Sequence, residues 1–535
     1  MNRSTFVPAL VLALGLVGCG DRGARVDRQV GPFDVATITD HLVYVDHGRS
    51  EAILLDLSSG PPGAPSVVPV VPNPVRVERR LGNPDQLLIL SAGIPDEAGA
   101  ENPQKPGLTV LEASGKTRTF RFDGAFDSLT QSPDGRYALL SFSSQASSGS
   151  LLFNALEIAV VDLESESDPR VLTLRNLGSG AIRSILFSPK DFSIGGLPRR
   201  LAVVLFDSYF AIVDLEQMFV SSPYAEYSVE LLGATAAGGR LAQVEFSTGS
   251  TSDGRLYLRA DGSDDVYVVQ LSEKASTPSS PNPFLPSINT QFVGGRPTDI
   301  ALFSDQAGAL ELLVAAPSAR SAFVVDSALR VTTQPLPDDA HRVLVYSGPK
   351  PGDPTVEARA VAYSEQSSTV TFLDVEHLGD PTGRGVETLQ LAQQFTAPVP
   401  LDDDTVMLPH VTTGLSLLRL ADRTVSEISG PNLGGAVPDV VRRDDGSIVS
   451  DKIWLAHGDK LGFLDLTRSF LPSELRVDAP IQQTLTVPGN APKVVVTHED
   501  ALGWITVLDA ADPSLDTAYS VRGFLVNDLL VGGGP

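Results

Sequence analysis

One pattern recurs along almost the whole chain. A short apolar run is followed by a polar turn and a second apolar run that ends in Asp. Leu42 to Val45 leads into Ala52 to Asp56, Tyr137 to Leu140 into Ile158 to Asp162, and Leu201 to Leu205 into Phe210 to Asp214. The same pairing ends at Asp326, Asp374, Asp465 and Asp509, with weaker copies near Glu112, Gln270 and Leu420. Asp56 and Asp509 stand nine intervals apart, so the period is about 50 residues. Helical periodicity is almost absent. Val, Ile, Leu, Phe and Tyr gather in runs of strand length separated by Gly, Pro, Asp and Ser.

Such a period leaves room for about four strands per unit, which is the signature of a β-propeller. The expectation is an all-β chain in which each strand pair is the middle of a blade. Runs such as Val171 to Leu174 and Val386 to Leu389 are then outer edges. Ten units are counted, against the ~4–8 blades that are usual. A single ring over residues 32–535 is the favoured reading. The alternative is two rings divided near 276–286, where Ser276 to Pro286 is rich in Ser and Pro. Asp-Gly pairs at Asp134-Gly135, Asp253-Gly254 and Asp445-Gly446 supply the positive φ of tight hairpins. With these turns in place, Phe126 to Ser141, built on Ser-Pro-Asp-Gly-Arg-Tyr, resembles the WD40-like repeat of periplasmic TolB-type propellers. Ser367 to Asp374 is similar to the YVTN and LVIVD repeats of bacterial surface propellers.

The N-terminus supplies an address. Arg3 precedes an apolar stretch, Phe6 to Val17, that is shorter than the ~20 residues needed to span a bilayer. Directly behind it, Leu16-Val17-Gly18-Cys19 resembles the signal of a bacterial lipoprotein. That resemblance implies a signal peptide over 1–18, cleavage before Cys19, acyl chains (palmitate among them) on its thiol, and a lipidated spacer over 19–31. Gly20 in the next position, by resemblance to enterobacterial sorting, favours the outer membrane. The expected location is the cell envelope, with lipid as the anchor.

Cys19 is the sole cysteine, so a disulfide within the chain, a cysteine-ligated metal and thiol catalysis are all excluded. The chain carries 65 acidic against 40 basic residues, a formal charge of −25, which argues against nucleic acid as a partner. Nucleophile-elbow, Walker, zinc-protease and dinucleotide motifs are missing. Only Trp454 and Trp504 occur, so the Trp-terminated repeats of quinoprotein dehydrogenases are missing too. The acid clusters Asp402 to Asp404 and Asp261 with Asp264 and Asp265 lack EF-hand spacing and read as solvated turns.

Histidine is more informative. Four of the seven, His47, His410, His457 and His498, fall at the end of a unit's second strand, in the first and the last three units. If the first unit lies beside the last, these units are consecutive. A rim of imidazoles, with Asp207, Asp261 and Glu365 at matching positions, has the donor types for a divalent transition metal. Two functions follow as expectations. The leading one is a binding or scaffold protein without a cofactor, partnered by the membrane through its lipid and by an envelope protein or surface ligand. The propeller lipoprotein of the outer-membrane β-barrel assembly machinery is its analogue. The alternative is a metal-dependent hydrolase or lactonase with its site on the propeller face.

Overall fold

The computed structural model describes residues 32–94, 103–143, 156–174, 182–220, 226–230, 239–247, 253–273, 284–305, 308–350, 353–379, 385–402, 404–412, 414–428, 436–438, 441–442, 448–449, 452–465, 469–526 and 530–532. Cys19, the N-terminal targeting segment and residues 276–283 of the proposed divide lie outside them. The chain is an all-β propeller of ten blades. These are residues 33–69, 74–121, 128–173, 184–230, 240–292, 299–335, 342–390, 399–428, 436–476 and 481–532, numbered here 1 to 10. Each blade is an antiparallel meander of four strands, and blade 10 adds a fifth. Among the described residues the only α-helix is Leu215–Val220, after the third strand of blade 4.

The repeated pairs of the sequence are the second and third strands of the blades. Tyr137–Ser141 pairs with Glu157–Asp162, and Leu201–Leu205 pairs with Tyr209–Asp214. All residues of Leu201–Leu205 and Tyr209–Asp214 are buried. This explains why these runs do not alternate. A blade is covered on both faces by its neighbours, so both side-chain directions must be apolar. Fourth strands are exposed, as in Arg170–Thr173 and Val386–Gln390. Ser276 to Pro286 joins the third strand of blade 5 to its fourth, Phe284–Phe292.

The recurring Asp has a local task. At the end of the third strand its carboxylate turns back to accept backbone N–H groups of the next turn. Asp56 takes Ser58 N at 2.9 Å, Asp162 takes Glu164 N at 3.0 Å, and Asp509 takes Ala511 N at 2.8 Å. Asp326 takes both Ala328 N and Arg330 N, at 2.9 and 2.8 Å. These Asx turns satisfy donors that leave the ladder. They also hold the carboxyls of Asp56, Asp326 and Asp509 below the usual Asp range.

Two compact units make up the chain: residues 1–79, 84–119 and 477–535, and residues 80–83 with 120–476. In the first unit, blade 10 packs against blade 1. Leu42, Tyr44, Ile53 and Leu55 share a core with Val495, Ile505, Val507 and Phe524. Asp40 N donates to Pro488 O at 2.7 Å, Thr37 Oγ1 to Thr486 O at 2.9 Å, and Tyr519 Oη to Gly60 O at 2.9 Å. The adjacency of first and last blades expected from the repeat is present, and it needs no exchange of strands.

In the second unit, neighbouring first strands approach one another, at Arg240–Phe246 with Asp299–Ser304 and at Asp299–Ser304 with Arg342–Lys350. Their fourth strands make no comparable approach, so the first strands are the inner ones. Side chains stitch these inner strands together. Arg183 Nη1 donates to Leu241 O at 2.9 Å, Gln243 Nε2 to Ile300 O at 2.7 Å, and Val343 N to Asp299 Oδ2 at 3.0 Å. The Asp134-Gly135 turn links first and second strands as expected. Gly135 has φ +67°, and a Cβ there would lie 1.5 Å from Leu81 O, so only glycine fits.

Candidate functional site

The repeat register placed the four histidines correctly in the blade. His457 ends the second strand Lys452–His457, His498 ends Lys493–His498, and His47 and His410 directly follow His41–Asp46 and Thr405–Pro409. Two of the four hold hydrogen bonds within their own blade. His410 is buried, and its Nε2 lies 2.7 Å from Ser416 Oγ. Ser416 donates in turn to Glu427 Oε2 at 2.9 Å. The hydroxyl proton is therefore committed to Glu427, which leaves the imidazole N–H as donor to Ser416. His498 repeats the arrangement in blade 10. It is buried, its Nε2 lies 2.9 Å from Thr506 Oγ1, and Thr506 lies 3.2 Å from Ser520 Oγ. Its Nδ1 meets Pro480 O at 3.0 Å, so both ring nitrogens are used.

In both blades the imidazole continues a chain of hydrogen bonds across the second, third and fourth strands. Ser416 and Glu427 are cross-strand partners, as are Thr506 and Ser520. A shared structural task accounts for the shared position. Burial holds His498 below the usual histidine range, so it is neutral near pH 7. The His410 group is not a nucleophile triad either. Its hydroxyl is fully buried, and Glu427 approaches the same ring nitrogen, at 3.4 Å, rather than the far one.

The other two histidines have different surroundings. His47 Nε2 meets Asp34 Oδ2 at 2.8 Å on the inner strand of its blade, and His457 is exposed at its hairpin. Among the described residues no group of three or more His, Cys, Asp or Glu side chains is placed to hold a metal ion. The acid clusters behave as turns. Asp402 accepts from Asp404 N and Thr405 N at 2.8 and 2.6 Å, and Asp261 takes Arg259 Nη1 at 2.7 Å.

Sequence reasoning missed the polar group on the inner strands of blades 5 to 7. Gln243 stands beside a register shift in Arg240–Phe246. Its Oε1 accepts from Arg259 Nε at 3.0 Å and Ile300 N at 3.2 Å, and its Nε2 reaches Glu245 Oε1 at 3.1 Å. Burial, helped by the charge of Asp299, pushes Glu245 up to about 7, although the Gln243 hydrogen bond opposes the shift. The visible signal was a Gln-x-Glu sequence inside an otherwise apolar strand. Its partners depend on how blades stack, which is not written locally.

No protein-family model matches the sequence, and a comparison with curated proteins finds no relative. Solved structures do align. Dihydro-heme d1 dehydrogenase NirN matches with a TM-score of 0.40 and 11% identity over 75% of this chain and 76% of that one. AztD from Citrobacter koseri matches at 0.35 and 13% over 70% and 93%. Virginiamycin B lyase from Staphylococcus aureus matches at 0.32 and 11% over 67% and 95%. What makes this chain a propeller is its own sheet order and blade packing.

Proposed function

We propose that the protein is a lipid-anchored propeller of the bacterial envelope, tethered through Cys19, that presents its blade connections to a partner as a binding platform. The observation that carries this reading is a division of labour within the blades. The recurring residues, namely the apolar strand pairs, the turn Asp and two of the aligned histidines, are consumed in holding each blade. Among the described residues the connections differ from blade to blade. Blade 4 inserts a hairpin, Ser193–Ile194 with Leu197–Pro198, and blade 9 inserts another, Val441–Arg442 with Ile448–Val449. Blade 7 extends its first two strands beyond the third, so that Ser347 to Lys350 pair only with Asp353 to Ala358. Rigid repeats that carry dissimilar loops are the usual arrangement for recognition.

The test has two arms. Cys19→Ala should move the protein from the membrane to the soluble fraction and abolish labelled-palmitate incorporation. Removing the blade 7 extension, by joining Tyr346 to Arg359 with a two-residue turn, should leave the fold intact and reduce crosslinking to envelope proteins. Unchanged membrane retention and labelling would refute the tether. Unchanged crosslinking in that and the two hairpin deletions would refute the platform.

A further inference from the structure

The outer edge of blade 5 differs from those of the other blades. Its fourth strand, Phe284–Phe292, is nine residues long and carries no charge. Among the described residues no strand pairs with its outer side. A free edge is a template for another strand, and proteins usually blunt it with charge, proline or a cover. The other blades follow that rule. The fourth strands of blades 2, 3, 4, 7, 8 and 9 hold Arg or Glu. Those of blades 1 and 6 are shorter and end in Pro69 and Pro335, and blade 10 covers its own with Leu530–Gly532.

Register decides which backbone groups this edge offers. Val293 N donates to Asp264 O at 3.2 Å, and from there the third and fourth strands run as antiparallel partners, from Asp265 with Phe292 to Glu273 with Phe284. Hydrogen-bonded pairs alternate along such a ladder. Leu285, Ser287, Asn289 and Gln291 therefore point their backbone groups into the blade, and Ile288, Thr290 and Phe292 point theirs outwards. Pro286, which has no N–H to offer, also falls on the outward register, where an edge strand tolerates proline. The side chains of Ile288, Thr290 and Phe292 share one face of the strand. Ile288 is 37% exposed and Phe292 61%.

This edge is complementary to itself. Two copies set antiparallel about a two-fold axis at Thr290 bring Ile288 of each against Phe292 of the other. Each outward residue then donates its N–H to the other copy and accepts one in return. A β-branched side chain facing an aromatic ring is a favourable cross-strand pair. Charge points the same way. The chain carries −25, so two copies repel at long range, and a strand without charge adds no like-charge contact. We propose that Phe284–Phe292 is a homodimer edge, to which a second copy of this chain adds its own blade 5 strand antiparallel, with Thr290 at the axis. A strand edge is small against the ~1,200 Å² that a stable interface buries, so the dimer is weak and depends on concentration. The proposal goes beyond the platform reading and does not depend on it.

Sedimentation equilibrium of the full chain carrying Cys19→Ala, which removes the only thiol, tests the proposal. The mass should rise from one copy towards two as concentration climbs through the micromolar range. Thr290→Lys, which sets two like charges face to face at the axis, should weaken association at least about tenfold. Ile288→Lys should weaken it as well, and Phe292→Glu added to the same chain should restore it, because the two new side chains face one another in this register. Thr290→Cys should form a disulfide between copies on oxidation, since the Cα atoms of a hydrogen-bonded pair stand ~5.5 Å apart. Thr333→Cys, on the outer edge of blade 6, should not. Circular dichroism identical to the unmodified chain confirms that the variants fold. A monomer at every concentration up to roughly 0.2 mM, association unmoved by Thr290→Lys, or absence of the Thr290→Cys crosslink would each overturn the edge.

Discussion

The joint between blades 10 and 1 and the joint between blades 7 and 8 use the same parts to different ends. At the first, Tyr44 packs its ring 5.0 Å from Phe524 and 5.9 Å from Phe33, and Thr37, Asp40 and Tyr519 spend their donors on backbone carbonyls across the joint. At the second, Val361, Phe372, Phe395, Leu408 and Leu418 build a comparable apolar core. Beside it lies a cavity of about 380 Å³, walled by Leu344, Tyr346, Pro400, Asp402, Val406 and Leu420 among others. One joint is closed by aromatic packing and by hydrogen bonds to backbone carbonyls, whereas the other leaves open space between its blades. A repeat protein obtains stability from every joint alike, so a joint that departs from the rule is the place to look for binding.

That contrast can be broken or sharpened by substitution. The largest effect belongs to the complete joint. Phe524 is fully buried, and Phe524→Ala should lower stability by about 3–5 kcal/mol through lost burial and a cavity. Denaturant unfolding measures it, and a loss below about 1 kcal/mol would mean that the joint is loosely packed. Next comes the joint between blades 5 and 6, which holds a carboxyl at a cost. Glu245 binds its proton more tightly folded (about 7) than unfolded (4.5). Its contribution is therefore fully present below about pH 4.5 and is lost as pH rises towards 7 and beyond. The fall should be of order 2–3 kcal/mol, and Glu245→Gln should remove that slope. An unchanged slope in the variant would place the titration elsewhere. The smallest loss concerns a device that lies within a blade. Asp326→Ala frees two backbone N–H groups at a partly exposed turn and should cost about 1 kcal/mol. A much larger loss would mean that the turn also supports a joint.

Much of this organisation was legible in the sequence, for physical reasons that differ by element. The central strands could be read because both faces are buried, which leaves apolar runs such as Ala159, Val160 and Val161 unbroken. The turn Asp could be read because its partners lie two to four residues ahead. First strands were weak signals, since Pro74–Arg79 is exposed over much of its length and reads as a polar segment. The inserted hairpins and the helix Leu215–Val220 were not foreseen. The histidine register was legible, but the hydrogen-bond partners of the imidazoles were not. Whether an imidazole meets metal or hydroxyl depends on Ser416 and Thr506 in the neighbouring strand, six and eight residues away. Arg359 showed itself only as a cation between two alanines. That it faces Tyr346, and that a cavity opens beside Tyr346, follows from strand register and blade stacking.

The most direct test of the contrast is the unfolding free energy of Val406→Phe measured beside that of Val507→Phe. Both valines are buried in the core of their joint, but Val406 also lines the cavity between blades 7 and 8. Extra side-chain volume in a closed core forces its neighbours apart, so Val507→Phe is expected to lose about 1–3 kcal/mol, while Val406→Phe enters open space and loses less than about 1 kcal/mol. Comparable losses in the two variants would contradict the account, because they would mean that the second joint is packed as tightly as the first.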